Sequence, residues 1–125
     1  MCLIKKHKFP KIAFKSIKVY KILFDYNNCL YTPYFGCKVI NKKIKAKYFK
    51  IPEIVWEEDI HGCGVHALST LKMAIWAKEN YVLFKNPFTK IYECIIPPFT
   101  FYWNGRGEEI AARRINIKKE ILNDL

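Results

Sequence analysis

Apolar and polar residues alternate over short stretches through most of this chain, the pattern of half-buried strands. The first clear case is Ile17–Leu23, where Ile17, Val19 and Leu23 share one face and Lys18 and Tyr20 the other. Asp25–Tyr26–Asn27–Asn28 follows as turn chemistry, because asparagine tolerates the left-handed backbone. An aromatic loop, Leu30 to Gly36, leads to a short strand at Lys38–Ile40. Beyond it Ile44, Ala46 and Tyr48 alternate with Lys43, Lys45 and Lys47, which predicts a one-sided strand with a cationic outer row.

One stretch breaks the period of two. Gly62–Cys63–Gly64 leads into a strand-like Val65–Ala67, and Ser69 or Thr70 is placed to cap a helix over about 70–79. Leu71, Met73, Ala74, Ile75, Trp76 and Ala77 leave that helix a narrow polar stripe marked by Lys72 and Glu79. It is therefore expected to pack between two surfaces. Val82–Phe84 and Ile91–Ile96 read as strands, the second stopped by Pro97–Pro98. Phe99–Trp103 is another, followed by hairpin chemistry at Asn104–Gly107. The last strand, Glu109–Ile117, sets Ala111, Arg113, Ile115 and Ile117 on one face. The expected fold is α+β: a curved, mostly antiparallel sheet of about six to eight short strands packed with one main helix.

The 125 residues predict a single domain over 1–125, with residues 1–10 a short edge strand or a basic arm. An apolar fraction of 51% and an aromatic fraction of 16% argue against disorder. No stretch approaches the roughly 18 apolar residues of a membrane span. Residues 1–10 lack the apolar core of a signal peptide. Five cysteines in no framework spacing are expected to be reduced thiols, and the expected setting is cytoplasmic.

Charge changes the picture most. Residues 1–50 hold thirteen lysines and one acid, Asp25, a net +12, whereas residues 51–125 sum to −1. A basic first part on a neutral remainder points to an anionic partner. On the strand reading, Arg113 lies on the apolar side and Arg114 outside. A guanidinium facing inward must be paired or line a cleft, where it could clamp a phosphate or carboxylate. Its structural alternative is an internal ion pair with Glu93 or Glu109.

Tyr31, Tyr34, Phe35, Tyr48, Phe101, Tyr102 and Trp103 interleave with lysines, the composition of a base-stacking surface and equally of ordinary antiparallel strands. His61, Cys63 and His66 lack the further ligands of a zinc site, so no metal and no cofactor are expected. Glu57, Glu58 and Asp59 read as a solvated loop. Cys63 or Cys94 with His66 lacks an identifiable third group for nucleophilic catalysis.

Val19–Leu23, Tyr31–Thr32–Pro33–Tyr34, Gly64–Val65–His66–Ala67, Glu93–Pro97 and Ile110–Ile117 occur in an order that resembles a widespread family of small bacteriophage and prophage proteins. The resemblance spans residues 17–122 and implies a phage protein acting in a bacterial cytoplasm. It brings no catalytic residue. With the charge layout it implies a protein, possible as a homo-oligomer, that sequesters an anionic nucleotide-type ligand. Arg113, Arg114, His66, Lys43, Lys45 and Lys47 would supply the polar contacts, and Tyr20, Tyr34 and Trp103 the rings. The alternatives are RNA or DNA binding through the lysine rows, inhibition of a host defence protein, and a nucleotide-processing enzyme using His66.

Overall fold

The structure, a computed structural model, describes residues 10–32, 38–45, 65–105 and 108–121. Its strands are β1 (Lys11–Ile12), β2 (Ile17–Tyr26), β3 (Cys29–Tyr31), β4 (Lys43–Lys45), β5 (Val65–Leu68), β6 (Thr89–Ile96), β7 (Phe101–Asn104), β8 (Glu109–Ala112) and β9 (Arg114–Glu120). One helix, α1 (Leu71–Asn80), interrupts them. The strands form one sheet in the order β1-β7-β8-β5-β2-β6-β9-β4, with β3 paired to the end of β2. Every pairing is antiparallel, so the expected α+β class and curved sheet hold.

Turn chemistry sets the local joints. Asn27 and Asn28 take φ of 51° and 62°, the tight reversal that pairs Tyr26 with Cys29. Asn41 and Lys42, at 55° and 56°, make a second reversal just before β4. The expected hairpin after Trp103 is present as β7 and β8, tied by Gly105 N–H donating to the Glu109 carbonyl at 2.7 Å.

The sheet is rolled, and its connectivity requires this. Four strand spacings separate β8 from β9, roughly 19 Å in a flat sheet. Along the chain only Arg113 lies between them, which holds Ala112 and Arg114 within about 7 Å. The sheet must curl until β8 and β9 meet as two halves of nearly one strand, with β1 and β4 the outermost of the described strands.

Inside the roll Val19, Leu23, Val65, Ala67, Cys94, Ile96, Ile110, Ala112, Ile115 and Ile117 form one buried cluster. On the outer face Ile22, Leu68 and Ile91 pack with Ala74, Ala77 and Phe84, the smaller core beneath α1. Thr70 begins the helix as expected, its hydroxyl accepting from Met73 N–H at 3.2 Å.

Three sequence expectations are corrected. Helix α1 packs against one surface: only Ala74 and Ala77 are buried, and Trp76 faces outward with its ring edge-on to Tyr81. The small alanines let the helix come close to the sheet, so a wide apolar stripe is not needed. Val82–Phe84 is a 3₁₀ turn, because Tyr81 and Val82 carbonyls accept from Phe84 and Lys85 N–H and so leave no strand ladder. That turn folds Phe84 back beneath the helix and leaves Val82 and Leu83 exposed.

The third correction bears on the site. The final strand is two strands with a bend at Arg113. Ile110 and Ala112 point into the roll before the bend, Ile115 and Ile117 after it. The extra residue shifts the alternation by one, so Arg113 is exposed and Arg114 is half-buried, the reverse of the expected placement.

Candidate functional site

Lysine and arginine meet at one end of the outer face because of register. Lys45 of β4 lies opposite Arg114 of β9, and Lys43 lies opposite Asn116. Asn116 also faces Ile95 of β6, and Ile95 faces Lys18 of β2. Directly opposed residues of antiparallel strands share a face. Lys18, Ile95, Asn116 and Lys43 therefore form one row across four strands, with Arg114 and Lys45 beside it. The buried Ile44 and Ile115 confirm that their neighbours point away from the core.

Among the described residues the ion pairs are Lys18–Glu93, Lys90–Asp25 and Lys90–Glu120, and none involves Lys43, Lys45, Arg113 or Arg114. Arg114 Nε and Asn116 Oδ1 are both buried with no hydrogen-bond partner among the described residues. One is a donor and one an acceptor, and they project from alternate positions of one strand. A buried polar group left unpaired costs about 1–3 kcal/mol, so a partner reaching Nε would be favoured.

The bend carries this cationic end to a second feature. Arg113 N–H donates to the Phe101 carbonyl at 3.0 Å, which places the arginine pair beside the opening of β7. There Ile12 pairs with Phe101, Ala13 N–H donates to the Thr100 carbonyl, and Phe99 N–H donates to the Ala13 carbonyl. Phe14 and Phe99 project from this junction at 79% and 77% exposure.

Of the residues read from sequence, Arg113, Arg114, Lys43 and Lys45 are thus assembled at one corner. Tyr20 and His66 lie elsewhere, both half-buried: Tyr20 packs with the core beneath α1, and His66 lies opposite Ala111 of β8. Trp103 is fully buried. Tyr34 and Lys47 lie outside the described residues, as do His61, Cys63, the acidic loop and residues 1–9. Lys18, Asn116, Phe14 and Phe99 were missed. Lys18 stood visibly on the polar face of its strand, and Pro97–Pro98 before Phe99 marks a turn that would push a ring outward.

Inside the roll sits another unforeseen group. Lys21 shares the face of Val19 and Leu23, is buried, and donates through Nζ to the His66 carbonyl. The bond ties β2 to β5 where the two strands pair only at Tyr20–Leu68. Burial pushes its amine down to about 8. Burial also pushes the Cys94 thiol and the Tyr92 phenol up to about 12 each. A protonated thiol is a poor nucleophile, so Cys94 is a packing residue here.

No family model, no curated protein and no solved structure matches the chain. Among the described residues no three of His, Cys, Asp or Glu come together as metal ligands, and no helix is long and apolar enough to cross a membrane.

Proposed function

We propose that this chain is a nucleic-acid-binding protein whose corner of Lys43, Lys45, Arg113 and Arg114 holds the phosphate backbone. The observation that carries the reading is the β4–β9 register, which sets Lys45 against Arg114, neither of them in an ion pair among the described residues. An open row of cations suits a polymer of phosphates, each contact releasing a counterion. A bacterial cytoplasm, the setting that the resemblance to small phage proteins implies, is part of this proposal.

Fluorescence anisotropy with labelled RNA and DNA oligonucleotides across a salt series tests the reading. Affinity is expected to fall steeply with salt. The double variant Lys45→Gln with Arg114→Gln should lower the single-strand salt slope by about 1.4, the share of two phosphate contacts. Absence of binding at 50 mM salt, or binding that this variant leaves unchanged, would sink it.

A further inference from the structure

We infer that Phe14 and Phe99 form a base-stacking platform, so that the nucleic acid held at the cationic corner is single-stranded. This rests on the nucleic-acid reading above and adds the class of polymer. Both rings stand in solvent on neighbouring stretches of backbone, joined through Ala13 and its hydrogen bonds to Phe99 and Thr100.

Phe99 is held there against its backbone preference. Its φ is 62°, in a position after proline that turns usually give to Gly or Asn. A bulky residue in the left-handed region is strained, because its Cβ crowds the following carbonyl oxygen. Exposing an apolar ring adds a second cost, since burial would have been favourable.

The surroundings choose the occupant. Lys11 and Lys15 flank Phe14 along the chain and both are exposed, while Arg113 is hydrogen-bonded to the strand that follows Phe99. Protein interface cores are depleted in lysine. Aromatic rings set among lysines and arginines are instead the arrangement by which single strands are held, each base stacking on a ring while its phosphate meets a cation. A duplex presents no free base face except at its ends, so this platform would be idle against it.

The test uses the whole chain and three probes: a fluorescein-labelled 12-nucleotide oligo-dT, its RNA counterpart and a 12-base-pair duplex. The single strands are expected to bind at least tenfold more tightly than the duplex. Phe99→Ala and Phe14→Ala should each weaken single-strand binding by about 5- to 100-fold, leaving the salt slope and duplex affinity unchanged. Phe99→Tyr should keep the single-strand preference, since it keeps the ring. Equal affinity for single strand and duplex, untouched by either alanine variant, would overturn the platform while leaving nucleic-acid binding in place. No salt-dependent binding to any probe would overturn both. A dimer in sedimentation velocity that Phe99→Ala dissolves would assign the rings to a second copy of the chain and overturn the platform too.

Discussion

The outer face of the sheet has two halves with different fates. Over Ile22, Leu68 and Ile91 it lies beneath α1; over Lys18, Asn116 and Arg114 no such layer is seen among the described residues. The strands run through both halves without a break, so backbone geometry does not separate them. What separates them is the residue at each outward position. Apolar rows recruit the helix, and rows of lysine, arginine and asparagine keep it off. A single strand such as β2 contributes Ile22 to one half and Lys18 to the other. The cationic face is therefore a by-product of where the outward pattern turns from apolar to charged.

The sharpest way to break the contrast is to thin the covered half. Ile91→Ala should cost about 2–5 kcal/mol in urea unfolding, while Ile95→Ala, four residues further along the same face, should cost under about 1 kcal/mol. Equal losses would mean that the uncovered half is packed as tightly as the covered one.

The second prediction concerns pH and the opposite, inner face. Lys21 titrates near 8 when folded and near 10.5 when unfolded, so between these values the unfolded chain holds more protons. Stability should thus rise as pH climbs from about 8. The unfolded thiol of Cys94 ionises from about 9 and the unfolded phenol of Tyr92 from about 10, whereas both keep their protons in the folded state. Those terms have the opposite sign, so the rise should level near pH 9 and become a fall above 10. Urea midpoints measured from pH 7 to 10.5 check this, and Lys21→Met should remove the initial rise.

A smaller effect belongs to the cap of the covering helix. Thr70→Ala removes the hydroxyl that accepts from Met73 N–H and donates to Glu108 Oε2 at 2.7 Å. A loss of about 1 kcal/mol is expected by thermal unfolding. Smallest of all, Lys18→Ala breaks the 3.6 Å contact between an exposed lysine and the half-buried Glu93, and its loss should change stability by under about 1 kcal/mol.

The class of fold was legible because period-two patterning survives at β2, β6 and β7, and because Thr70 announces the helix. Arg113 was misplaced for a definite reason. Alternation assumes an unbroken strand, and the bend at the corner of the roll is set by closure between strands distant in sequence. The assembly of Lys43, Lys45 and Arg114 could not be read either, since register between β4 and β9 is a tertiary fact. Lys21 has the parity of Val19 and Leu23, so alternation alone puts it on the apolar face; its partner could not be read, since the His66 carbonyl reaches it only through the pairing of β5 with β2.

The pairing of β2 with β6 has a consequence for the chain as it is made. Ile22 finds Ile91 only after the intervening segments have left the ribosome, on the order of several seconds at about 5–20 residues per second. Until then the described strands beside β2 are the short β3, covering Phe24 to Tyr26, and β5, which meets it at Tyr20 alone, so most of its apolar residues are open to other nascent chains. Lys18 and Lys21 sit within that waiting strand. Charges spaced along an unpaired apolar strand discourage association. The lysine that later costs the folded core its comfort guards the same strand at birth.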